Sequence, residues 1–104
     1  MIIVSSSSIA GKKVVRTLGL VRGNTIRARN IGRDILAGLK NLIGGEIEEY
    51  TKLMAEAREQ ALDRMQKEAE ALGANAVTDV RFSTSEIMRG ASEILAYGTA
   101  VVVE

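Results

Sequence analysis

Arg27, Arg29 and Arg33 form the densest basic cluster in this chain of 104 residues, and Asn30 sits among them at the start of a predicted helix. Guanidinium groups beside a helix N-terminus are suited to hold an anion. The competing reading pairs Arg33 with Asp34 or with a glutamate of another subunit. Ser5–Ser8 lie close to Lys12 and Lys13, so a serine nucleophile with a lysine base is a second candidate. A strand-ending turn that satisfies its own backbone through hydroxyls explains the same run more simply. Glu46, Glu48, Glu49 and Asp63 are oxygen donors for a hard cation. Without a loop of EF-hand spacing, a solvated helix face is the plainer account. "GLVRGN" and "IGG" contain glycine but match no phosphate-binding loop.

Cysteine and histidine are both absent. That removes disulfides, thiolates, imidazole ligands and any triad built on His or Cys. The aromatic residues are Tyr50, Phe82 and Tyr97, too few for a platform that stacks single-stranded nucleic acid. Tyr50, Met54, Met65 and Met88 read as packing residues. The formal net charge is +1, but residues 1–40 carry eight Lys/Arg and one acid (+7) while residues 41–104 carry six Lys/Arg and twelve acids (−6). A basic N-terminal half could meet nucleic acid. Neutralisation of one half by the other, across the fold or a subunit contact, is preferred because nucleic-acid binders are usually more basic overall.

Apolar residues make up 46% and charged residues 26%, the balance of a globular domain. One domain over residues 1–104 is expected, soluble and cytoplasmic. "MIIVSSSSIAGKK" has its lysines after its apolar residues, the reverse of a secretory leader, and no apolar run approaches the ~20 residues of a membrane span.

The elements that must position these groups follow from periodicity. Met1–Val4 and Lys12–Gly23 read as strands, with Gly19 marking a weak point or bulge. Residues 25–29 could extend the second strand. Asn30–Gly45 reads as a helix capped by Asn30 and striped by Ile31, Ile35, Leu39 and Leu42. Glu46–Leu72 reads as a long helix with one apolar stripe, from Ile47 and Tyr50 through Ala57, Ala61 and Met65 to Leu72. Its i,i+4 pairs include Asp63–Lys67 and Arg64–Glu68. Gly73 stops it. At 1.5 Å per residue this helix is about 40 Å long, which exceeds strands of ordinary length. Either the strands are long or a neighbour shares the stripe. Asn75–Thr84 and Glu93–Val103 read as a final hairpin turning at Gly90. Glu93–Val103 does not alternate, so both its faces should be covered, one of them by another subunit. The expected fold class is α+β: two layers, with helices on one face of an antiparallel sheet in the order β-β-α-α-β-β.

"NIGRDILAGLKNLIGG", a tyrosine five residues on, "ALGANAV" and the terminal "GTAVVVE" together resemble the YbjQ family (UPF0145, the domain of unknown function 74). The likeness runs from "GKKVVRTLGLVRG" to the C-terminus. It implies a dodecin-subunit-like fold assembled as a homo-oligomeric ring, a homopentamer. The long helix would then lie over its own sheet and a neighbour's. The family carries a heavy-metal-binding label, yet soft metals favour Cys or Met thioether and borderline metals imidazole, and this chain has neither Cys nor His. Two positions depart from the family pattern. Glu46-Ile47 stand where Arg-Ser usually follows Gly-Gly, and Asp79 stands where glycine is frequent.

These readings make the chain a ring-forming, non-enzymatic protein that binds a small ligand or metal ion at subunit junctions or in the pore. The ligand-binding candidates are Asn30, Arg33, Asp34, Gly44, Gly45 and Tyr50. No cofactor is specified. One alternative is an enzyme in which Asp34, Glu49 or Asp79 converge with arginine at an interface. Another is a nucleic-acid binder, which needs Arg16, Arg22, Arg27 and Arg29 on one exposed surface.

Overall fold

In the computed structural model, which describes residues 1–28 and 46–104, four strands and one long helix form two layers. The strands are β1 (Ile2–Ile3), β2 (Val14–Ala28), β3 (Ala76–Met88) and β4 (Ala91–Val103), and the helix is α1 (Glu46–Ala71). The helix expected over Asn30–Gly45 lies outside the described residues.

The sheet has the order β1-β3-β4-β2. β4 pairs antiparallel with β2 on one side and with β3 on the other. β1 runs parallel to β3, Ile2 opposite Ala76. The sheet is therefore mixed, which corrects the expectation of a purely antiparallel one. The cause lies in the segment between the first two strands. It crosses the end of the β3–β4 pair, so the N-terminal strands sit near opposite edges rather than side by side. Ile9, on this crossing, packs with Ile2 against Ala76, Val101 and Val103. The crossing ends where Lys13 and Glu104 exchange two backbone hydrogen bonds of 2.9 Å each.

The long strands settle the question raised by the helix. At about 3.3 Å per residue, the 13 to 15 residues of β2, β3 and β4 span roughly 43–50 Å. The 26-residue helix therefore fits along its own sheet. Ala57, Ala61, Met65 and Ala69, each four residues apart, are fully buried against Val21, Ile94, Ala96 and Ala100. This stripe is mostly alanine because the layers touch backbone to backbone. Gly23 is where they meet most closely. A Cβ there would overlap backbone atoms of Ala61 and Met65 and lie 2.8 Å from the Arg64 carbonyl carbon. On either side of this contact, the Thr25 hydroxyl donates to the Ala57 carbonyl at 3.1 Å and Arg64 donates to the Asn24 carbonyl. The expected Asp63–Lys67 pair is present at 3.1 Å, but both groups are exposed and add little.

The join between α1 and β3 is structural. Ala74 N–H donates to the Ala69 carbonyl and Gly73 N–H to the Glu70 carbonyl, with Gly73 at φ 88°. These bonds form a Schellman cap, which requires a left-handed residue at that position. The Asn75 side chain then acts as one more rung of the sheet. Its amide donates to the Val103 carbonyl at 2.9 Å and its oxygen accepts from Val103 N–H at 2.8 Å.

Gly23→Ala should lower stability by about 3 kcal/mol, the upper end for overpacking a close contact, because helix and strand must separate along the seam. A urea-unfolding midpoint equal to that of the unsubstituted protein would show that the helix is not seated on Gly23.

Candidate functional site

Asn30, Arg33, Asp34, Gly44 and Gly45 lie outside the described residues, and Tyr50 falls within the N-terminal half of α1. The structure therefore does not test the convergence of these six. The same applies to Asp34 and Glu49 meeting Asp79. The serine run resolves as a turn: the Ser6 hydroxyl donates to the Ser8 carbonyl at 2.7 Å, and the Ser6 carbonyl accepts from Asp79 N–H at 3.0 Å. Among the described residues no hydrogen bond joins a Ser5–Ser8 hydroxyl to Lys12 or Lys13.

Strand register sorts the remaining polar groups onto two faces. Val21, Gly23 and Thr25 lie opposite Gly98, Ala96 and Ile94 and are buried under the helix. The intervening residues of β2, namely Leu20, Arg22, Asn24 and Ile26, lie on the open face and are exposed. By the same register Arg16 and Arg27 belong to the helix-bearing face, opposite Val102 and Ser92. Arg16, Arg22 and Arg27 therefore do not share one surface, as nucleic-acid binding would require.

On the open face, β2, β4 and β3 contribute rows of three residues. Leu20, Thr99 and Thr78 form one row, Arg22, Tyr97 and Arg81 the next, and Asn24, Leu95 and Ser83 the third. The row containing the two arginines exists because β3 bulges just before it. Between the Thr78–Thr99 and Arg81–Tyr97 pairs, Asp79 and Val80 together oppose one residue of β4, one residue too many for a regular ladder, and Asp79 adopts φ 56°. Gly98 lies opposite the bulge. A Cβ there would come within 2.8 Å of a Val77 methyl and 2.9 Å of the Thr78 carbonyl. Arg81 is held by two carbonyls, donating to Ser5 at 2.7 Å and to Val80 at 3.0 Å. This row joins three strands and was missed in the sequence, where its members are isolated.

The edges of the sheet are as distinctive as its face. Among the described residues, β2 pairs only with β4, so its other side is free along 15 residues. β1 and its continuation reach β3 no further than Val80, where Val80 N–H meets the Val4 carbonyl at 3.1 Å. Beyond Val80, every residue of β3 from Arg81 to Met88 is exposed.

A family model described as "Putative heavy-metal-binding" matches residues 1–104. A protein of Dehalococcoides mccartyi named "UPF0145 protein" is 59% identical over 104 residues, covering 100% of both chains. Another of that name from Halorubrum lacusprofundi is 67% identical over 97 residues, 93% of each chain. A crystal structure from Pediococcus pentosaceus, titled a protein of unknown function of the DUF74 family, shares the fold. It has a TM-score of 0.70 at 15% identity and covers 100% of this chain and 98% of that one. The chain offers a metal no thiolate or imidazole, only the thioethers of its four Met, and among the described residues no three acidic side chains are placed to hold an ion.

The bulge also accounts for a departure from the family pattern. Asp79 occupies a left-handed position, which glycine adopts most easily and Asp tolerates better than most residues. Asp79→Gly should raise stability by about 1 kcal/mol, and Asp79→Val should lower it by about 1–2 kcal/mol. Thermal melts at matched protein concentration check this order. A lower melting temperature for the glycine variant would mean that the Asp79 side chain contributes contacts outweighing its backbone strain.

Proposed function

We propose that the chain, which belongs to the YbjQ family (UPF0145), is a non-enzymatic subunit that closes into a ring by edge-to-edge strand pairing and holds a small ligand near its subunit junctions. The observation that carries this reading is the pair of edges left free among the described residues, β2 on one side of the sheet and Arg81–Met88 of β3 on the other. Unpaired edges attract further strands, and natural monomers keep them short or covered. Here Arg81–Met88 offers about 26 Å of backbone at 3.3 Å per residue. Two different edges on opposite sides make a head-to-tail contact, which closes as a ring when the rotation allows. Five subunits is the ring size proposed, the number that the resemblance to the family implies.

Surface chemistry and shape support the same reading. Leu20 is 64% exposed, Ile26 57% and Met88 66%, all on or beside these edges. Leu95, Tyr97 and Thr99 of β4 are only half-buried on the open face. The Cα radius of gyration is 17.2 Å, against about 13 Å for a compact domain of this length. A lone chain of this shape leaves much of its apolar surface wet, and a ring covers it. Basic and acidic halves of nearly equal charge favour contact between copies.

Native mass spectrometry should find a closed oligomer of fixed size at micromolar concentration. Successive residues of a strand point their N–H groups to opposite sides, so one of Ser83→Pro and Thr84→Pro removes an outward donor while sparing the β3–β4 ladder. That variant should fold as a single chain. A monomeric unsubstituted protein, or proline variants that both remain fully assembled, would rule out closure through this edge.

A further inference from the structure

We infer that α1 of one copy reaches past its own β2 and covers the helix-bearing face of β3 in the next copy, with Phe82 as the residue it seats on. The inference rests on the edge-to-edge ring proposed above and adds to it a second layer of contact, helix on sheet.

Three observations carry it. First, α1 is set to one side of its own sheet. It lies nearest β2, less over β4, and barely reaches β3. Its tightest contact is with Gly23 of β2, an edge strand among the described residues. A helix is about 10 Å across with its side chains and strands lie about 4.8 Å apart, so a helix seated on an edge strand projects roughly one strand width beyond it. Arg64 marks the projecting flank. It is exposed and reaches down to the Asn24 carbonyl of β2, while Leu62 on the opposite flank packs on the core. At 3.6 residues per turn, Leu53, Gln60 and Lys67 share the Arg64 flank. Second, β3 lacks a cover of matching width. Phe82, Ala96 and Gly23 form one row of the helix-bearing face, and Thr84, Ile94 and Thr25 the next. Gly23, Ala96, Ile94 and Thr25 are buried, but Phe82 is 44% exposed and Thr84 is exposed. Phenylalanine is among the residue types most often buried. Third, the projection and the bare strip fit by symmetry. β2 and β3 both run antiparallel to β4, so they share one direction. Rotation about an axis along the strands sets β2 of one copy beside Arg81–Met88 of the next, with both helices on the same face. The projecting flank then lies over the strip that begins at Phe82. Glu86, two residues beyond Thr84, is the one charge on this strip, and the exposed flank residues Arg64 and Lys67 are cations, so the two surfaces attract.

The chain has no cysteine, so single-cysteine variants test the contact without background. Phe82→Cys is co-expressed in turn with Leu53→Cys, Gln60→Cys and Lys67→Cys, and each assembly is oxidised and separated under denaturing conditions. A disulfide-linked dimer of the two variants is expected from at least one pair, and the helix position that links reports the stagger between copies. Arg22→Cys, on the open face, should give no dimer with the same three. Phe82→Ser should fold, since this side chain is largely wet in one chain, and circular dichroism confirms it. The same variant should raise the concentration of half-assembly about tenfold or more, the weight of one buried aromatic side chain. Native masses of the cysteine variants separate this contact from ring closure. A ring mass with no dimer from any of the three helix positions would overturn the helix contact and leave the ring in place. Phe82→Cys linked only to itself would show a two-fold contact and overturn it as well. A monomer mass would overturn both the contact and the ring.

Discussion

The close seating of one helix backbone on one strand backbone organises the whole molecule. At Gly23 the two approach until a single Cβ no longer fits. Approach of that kind demands small residues on both sides, and Ala57, Ala61 and Ala69 meet Gly23, Ala96 and Ala100. Such a seam buries little area per residue, so it must be long to be worth much. The strands accordingly run to 13 and 15 residues. The helix lies over β2 and β4, and most of β3 is left uncovered beside it.

That choice has consequences at both edges. A helix centred on β2 and β4 shields their inner face but does nothing for the outer edge of β2 or for β3 past Val80. The N-terminal crossing covers one end of the open face, through Ile2 and Ile9 on Val101 and Val103, and stops there. Among the described residues, what remains wet is two edges, Leu20 and Ile26, and the polar rows between them. One chain thus solves its packing on one face only. In the reading proposed above, further copies of the chain cover the rest. The bulge at Asp79 is bonded to the continuation of β1, Asp79 and Val80 N–H donating to the Ser6 and Val4 carbonyls, and its register shift brings Arg81 level with Tyr97.

Local elements were largely legible in the sequence. The helix expected over Glu46–Leu72 is observed as Glu46–Ala71, Gly73 ends it, and Gly19 marks a register shift in β2 with φ 120°. These depend on neighbours within a few residues, which periodicity and glycine report directly. Strand ends were less legible. β3 runs to Met88 rather than Thr84, because polar "SEIM" pairs with β4 through its backbone, which hydropathy does not register. The parallel β1–β3 pair was not legible, since its partners are separated by more than 70 residues and only the crossing decides it. Arg64 was expected to pair with Glu68 and instead reaches the Asn24 carbonyl on the facing strand. The candidate site around Asn30, Arg33, Asp34, Gly44 and Gly45 rested on local clustering. The row Arg22–Tyr97–Arg81 comes from register alone, so no local pattern announces it.

The claim at the centre of this account is that β3 beyond Val80 is an edge only in the isolated chain. Hydrogen exchange of the amides from Arg81 to Met88, followed residue by residue, reads this directly. If edges pair between copies, amides on both sides of the strand are protected at high protein concentration, and the outward set loses protection on dilution. Outward amides that exchange as freely as an exposed loop at every concentration, while the β4-facing set stays protected, would show the edge to be open in solution and the ring account to be wrong.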